Sequence, residues 1–358
     1  MSDVRWELPG PARMIDSLCA DAYRDRVAAV VAPVDAGGLA DAIEGRLNDD
    51  GQVRVVAVRP GPGDLALDLI AREAGVDRSN PAALVTAPAL ADCAIVVLAR
   101  TETVAPALED FARLAARSRT GSEPILIVVG SGALPLIGGT TAREAKGLIG
   151  PLDAAGQLAR LHLQLPPLEA LVITSVAIET ACWDVETAER IATLPVARAV
   201  RPDLCPEAWT DERLPSWRGV PASWAAGSSD EWNGDLCEHA SWLAGNRPDA
   251  LSKRVWRGQV AALLPWIETR RLEIVAVFSR VLTPDRERCG PDIESLDWGP
   301  LRHQLHRQAQ WLLQFVEQAR LARNELAHGR PLNWPQIVAL LSGSRRWNSG
   351  RGAPQVVR

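Results

Sequence analysis

The sequence predicts an α/β protein: a parallel sheet covered by helices, followed by a C-terminal all-α helical bundle. Three observations carry the prediction. Short apolar runs rich in β-branched residues alternate with helix-period stretches over the first 165 residues. Of the 13 tryptophans, all but Trp6 lie between Trp183 and Trp347, which marks a change of composition halfway along. The last hundred residues hold long patterns of apolar positions three and four apart.

Taken in order, "VAAVVAP" (27–33) reads as the first strand, followed by Leu39, Ile43 and Leu47 at helical spacing. The unit recurs: "VRVVAV" (53–58), "CAIVVLA" (93–99), "PILIVVG" (124–130) and "LARLHLQL" (158–165) are the further expected strands, and His162 falls inside the last as a core histidine. Near-continuous apolar strands imply a sheet buried on both faces. The glycine-rich "GSGALPLIGGTT" (130–141) follows the fourth strand, where backbone amides can cradle an anion or simply allow a flexible turn.

Five such strands followed by a small helical segment resemble the core and lid of the AAA-type P-loop nucleotide hydrolases. That family's loop needs GxxxxGK[ST] after the first strand, for backbone amides, a phosphate-binding lysine and a magnesium-binding hydroxyl. Here the stretch is "APVDAGGL": Ala32 replaces the first glycine, Gly37 is kept, Gly38 stands at the lysine position and Leu39 at the hydroxyl position. The third strand ends in Ala99 and Arg100 in place of an acid, with Glu102 displaced. The resemblance therefore implies a degenerate P-loop-like domain over 1–165 that hydrolyses no ATP. A flavodoxin-like or Rossmann-like sheet is the competing layout.

Residues 166–249 read as a helical lid and a Trp-rich connector. Leu171, Val172, Val176 and Ile178, then Val185, Ala188 and Ile191, suit two short helices, the second capped near Asp184. Trp209, Trp217, Trp224 and Trp232 then punctuate a Pro- and Gly-rich stretch as anchors of an irregular linker.

From 250 to 342 the pattern is a bundle. Leu251, Val255, Leu263, Ile267 and Ile274 mark one long helix; Leu301, Leu305, Leu312, Val316 and Ala319 mark a second; "WPQIVALLS" closes the fold, and 343–358 is expected to be a flexible tail. The second helix ends in "LARNELAHGRPLNW", where Gly329 and Pro331 stop it.

Arg323, Asn324 and, after three residues, His328 match the Arg-polar-x3-His signature of the HEPN superfamily of RNA-processing and defence domains, which 250–342 resembles. The resemblance implies a metal-independent endoribonuclease, with Arg323, Asn324 and His328 as catalytic residues and no cofactor. It also implies a homodimer through the bundle, RNA as substrate, and a setting in a bacterial toxin or antiviral defence system with a protein partner. Many HEPN domains are instead non-catalytic adaptors, and the motif alone leaves both readings open. In the ribonuclease reading the imidazole handles the proton of a ribose 2′-hydroxyl and the guanidinium holds the scissile phosphate.

Composition narrows the setting. No run approaches eighteen apolar residues and no basic-then-apolar leader begins the chain, so a cytoplasmic protein without membrane contact is expected. Six scattered cysteines lack metal-ligand spacing, and His303 with His306 lacks a carboxylate pair. The net charge of -5 hides a basic end, since 251–358 holds 17 Lys and Arg against nine Asp and Glu. Such an imbalance favours a polyanionic partner.

Overall fold

A computed structural model describes residues 4–350, apart from 34–35, 77–79, 100–105, 118–121, 132–133, 210–213, 288 and 307–308. The chain divides into two compact units, Met1–Asp153 with Val220–His239, and Ala154–Gly219 with Ala240–Arg358. Residues 166–219 thus fall in the unit of the bundle, and 220–239 in the unit of the sheet.

The first unit is a three-layer sandwich. Its elements are α1 (Pro9–Asp25), β1 (Val27–Ala32), α2 (Ala36–Asp50), β2 (Arg54–Val58), α3 (Ala66–Glu73), α4 (Pro81–Val85), β3 (Cys93–Ala99), α5 (Pro106–Arg117), β4 (Ile125–Ser131) and β5 (Arg143–Glu144). The five strands are parallel in the order β2-β3-β4-β1-β5. This is neither the Rossmann nor the flavodoxin order. Alternate residues explain the two faces: Ala28, Val30, Val96 and Ile127 pack under α1 and α2, while Ala29, Ile95, Val97 and Val128 pack under α3, α4 and α5.

Four of the five expected strands form where the sequence puts them. The fifth does not. Residues 158–165 are the end of a helix and an irregular turn, and His162 is an exposed residue with φ of 45°. The fifth strand is the two-residue β5, at the edge of the sheet opposite β2, whose Arg143 and Glu144 are exposed and carry no apolar signal. Leucines at 158, 161 and 165 fit the helical interval and those at 161, 163 and 165 the strand's, and the helix takes only the first two residues of the stretch.

The hairpin β6 (Ser229–Trp232) and β7 (Asp235–Glu238), built in the Trp-rich stretch, also belongs to this unit. Asp230 ties it down, its Oδ1 accepting from the backbone N–H of Gly147 at 3.0 Å and of Glu231 at 2.8 Å. Burial raises the Asp230 carboxyl above its ordinary 3.8, against the pull of these two amides and Lys146. A carboxyl with a raised folded value stabilises fully below 3.8, and that contribution is lost as pH climbs through the folded value. Asp230→Asn keeps an acceptor oxygen and removes the charge. Urea melts at several pH values should therefore show a gain of about 1 kcal/mol or less at neutral pH, and a flatter pH profile. An unchanged profile would remove Asp230 as its source.

The second unit is helical: α6 (Pro151–Ala159), α7 (Pro167–Ala181), α8 (Val185–Thr193), α9 (Val196–Ala199), α10 (Leu214–Trp217), α11 (Ala240–Asn246), α12 (Pro248–Phe278), α13 (Trp298–Leu305), α14 (Leu313–Ala327) and α15 (Trp334–Gly350). Helix α8 starts as expected, with Asp184 accepting from the Thr187 N–H at 3.2 Å. The 31-residue α12 is the spine of the unit and packs on α7. Gly258 allows that approach, since a Cβ there would lie 2.6 Å from Val176 Cα.

Two expectations for this unit are corrected. The second long helix is broken, ending as α13 at Leu305 and resuming as α14 at Leu313, with a 3₁₀ turn at Gln310–Leu312. Buried leucines at 301, 305 and 312 keep the apolar spacing across the break, which is why the sequence hid it. The supposed tail from 343 continues α15 to Gly350, because Trp347 is fully buried and stacks on Trp311, with centroids 6.0 Å apart. Residues 351–358 lie outside the described residues.

Candidate functional site at the end of α14

Helix α14 buries Phe315, Val316, Ala319, Ala322 and Leu326, one stripe at helical spacing. Trp266 and Trp298 meet the Phe315 ring edge-on, each at 6.4 Å, and fix the helix in the unit. The opposite face stays accessible, and the motif lies at its end.

His328 is the C-cap, and Gly329 takes φ of 76°, the left-handed turn that glycine adopts without strain. The Gly329 N–H donates to the Leu326 carbonyl at 3.2 Å and the Arg330 N–H to the Glu325 carbonyl at 3.0 Å. These are the paired bonds of a Schellman motif. The apolar contact that usually accompanies one is replaced by a bidentate ion pair, Arg330 to Glu325 at 2.7 and 2.9 Å.

Helix α12 grips both sides of this turn. Trp256 Nε1 donates to the Leu326 carbonyl at 2.6 Å. One turn on, the buried Gln259 amide accepts from the Leu332 N–H at 2.6 Å and donates to the carbonyls of Leu332 and Val200 at 2.9 and 2.8 Å. Sequence reasoning missed both residues. The only signal of Gln259 was a polar side chain at an apolar-face position of α12, and Trp256 gave none.

Around the motif, the neighbouring charged side chains have partners. Glu317 accepts both a bidentate contact from Arg320, at 2.7 and 3.0 Å, and one from Arg302 at 2.9 Å. The Arg320 hydrogen bond holds the Glu317 carboxyl below its ordinary value and raises the Arg320 guanidinium. Arg323 and Asn324, by contrast, are half-buried, His328 is exposed, and their side chains make no hydrogen bond or ion pair among the described residues. Arg320, Asn324 and His328 share one stripe, as their spacing of four dictates. Arg323 lies about 140° around the helix from His328, five residues at 100° each. One chain therefore does not close these two groups on a single phosphate.

The remaining candidates separate. His303 and His306 are both exposed on α13 and its cap, and His239 is buried in the other unit. Among the described residues no three His, Cys, Asp or Glu side chains gather as metal ligands.

In the first unit, β1 and β4 are neighbours whose chains leave in opposite directions, to β2 and to β5. The crevice beyond their carboxyl ends is where doubly wound sheets hold ligands. Leu39, at the hydroxyl position, is fully buried in the core, and Leu134 packs against Gly130 at the end of β4. Gly138 and Gly139, both at positive φ, close a two-residue turn in which Ile137 and Thr140 exchange backbone hydrogen bonds. Those glycines serve the turn. Arg100 and Glu102 lie outside the described residues. No helix among the described residues is long and apolar enough to cross a membrane.

No protein-family model matches the chain, and a search of curated proteins finds no match.

Proposed function

We propose that the helical unit is a metal-independent, HEPN-like endoribonuclease that works as a homodimer, and that the chain also carries a nucleotide-hydrolase-like sheet that has lost its catalytic residues. One observation carries this reading: among the described residues, Arg323, Asn324 and His328 have no side-chain partner, where Arg320, Glu325 and Arg330 are tied in ion pairs. A half-buried cation with no internal counter-charge is held ready for an anion from outside.

The residues then divide the chemistry. His328 accepts the proton of the 2′-hydroxyl as that oxygen attacks phosphorus, and the bond to the 5′-oxygen breaks. The leaving oxygen takes a proton from the imidazole of the second copy, giving a 2′,3′-cyclic phosphate and a free 5′-hydroxyl. Arg323 neutralises the phosphoryl oxygens and Asn324 orients the groups. A second copy is needed because of the angle between Arg323 and His328. The sheet lends support of its own kind: a glycine and a buried leucine stand where phosphate binding needs a lysine and a hydroxyl.

The same angle favours a second reading, a non-catalytic adaptor of a bacterial defence complex, in which the unpaired groups bind a partner. Incubating RNA and DNA of one sequence with the protein in EDTA separates the two. Ribonuclease action gives RNA fragments ending in cyclic phosphate and leaves DNA whole. Intact RNA, cut DNA or dependence on a divalent metal would each overturn it.

A further inference from the structure

The exposed face of α14 carries more than the motif. Stepping back from His328 by fours and threes reaches Asn324, Arg320, Glu317 and Gln314, a single stripe. Its length is about 21 Å. Guanidiniums from three helices are bonded onto it: Arg302 of α13 and Arg320 of α14 on Glu317, and Arg346 of α15 on Gln314 at 2.7 Å. One carboxylate faces three cations, so the stripe keeps a positive excess.

At the N-terminal end stands Trp311, 47% exposed and stacked nearly parallel on the buried Trp347. Trp347 directly follows Arg346, so the residue that braces the indole adjoins the one bonded to Gln314. The result is a rigid aromatic surface at the head of a cationic line.

We infer that this face is a track for single-stranded nucleic acid. A base stacks on Trp311, phosphates follow Arg346, Arg302 and Arg320, and the strand runs on to His328. The inference rests on the ribonuclease reading for where the strand leads, but binding needs no cleavage. Stacking uses the π-face that every base has, and the cations use phosphate, so single-stranded RNA and DNA both fit. A duplex does not, since its bases are already stacked.

The test is fluorescence anisotropy with labelled oligouridylate and oligodeoxyuridylate of about a dozen nucleotides, on the full chain carrying His328→Ala so that no RNA is cut. Adding Trp311→Ala should weaken both by about 5- to 100-fold, and Trp311→Phe should restore most of the affinity. Arg302→Ala with Arg346→Ala should lower the slope of log K against log salt by about 1.4, two phosphates at about 0.7 each. Arg72→Ala, an exposed arginine on α3 in the other unit, should change neither. Affinity indifferent to Trp311 and to the arginine pair, tighter binding of duplex, or no binding at about 50 mM salt would overturn the track. If wild-type protein binds through these residues but cuts no RNA, the track stands and the nuclease reading falls. Cleavage with binding that ignores them gives the reverse.

Discussion

Replacing His328 with alanine is expected to slow RNA cleavage by about 10²- to 10⁴-fold, the usual contribution of a positioned acid or base. The substitution is clean for a structural reason. His328 caps α14 with its backbone alone, and the left-handed turn belongs to Gly329. The side chain is exposed and contributes no hydrogen bond among the described residues, so the melting transition should stay where it is. Single-turnover rates on a short RNA, compared with the melting curve of the same preparation, give the answer. Wild-type rates in the variant would take the imidazole out of the reaction.

The second large effect is on stability. Gln259→Leu should cost about 3–9 kcal/mol, because one change strands two carbonyls and one N–H in the interior and each buried orphan costs about 1–3 kcal/mol. The bonds lost are those to Leu332 N–H, Leu332 C=O and Val200 C=O. Leucine matches the glutamine side chain in size, so no cavity explains the loss. Urea unfolding monitored by tryptophan fluorescence measures it. A loss under about 1 kcal/mol would mean the turn after α14 is held by other contacts.

Stopping a helix and presenting a reactive group are compatible tasks when the backbone does the first and the side chain the second. The Schellman turn, the Arg330–Glu325 pair and the grip of Trp256 and Gln259 hold the end of the helix without using the side chains of the motif.

Much of the fold was legible. β1, β3 and β4 are buried on both faces and so wrote themselves as unbroken apolar runs, the half-exposed β2 as a shorter one, and α7, α8 and α12 showed the helical period. The failures share a cause. Leucines at 158–165 fit two periods, the spacing of 301–312 passed through a break, and α15 outran its apolar stretch because one residue, Trp347, found a partner 36 positions away.

By itself the sequence determined that β1, β3 and β4 are buried on both faces, where α14 must end, and that three groups of a known spacing stand there. Local sterics and solvent transfer act on neighbours along the chain, so a one-dimensional pattern records them. Strand order, the edge strand β5, the amide of Gln259 under the turn and the stacked pair of tryptophans were decided only in three dimensions. Hydrogen bonds and ring contacts between distant residues depend on what folding brings together, and no spacing in the chain encodes that.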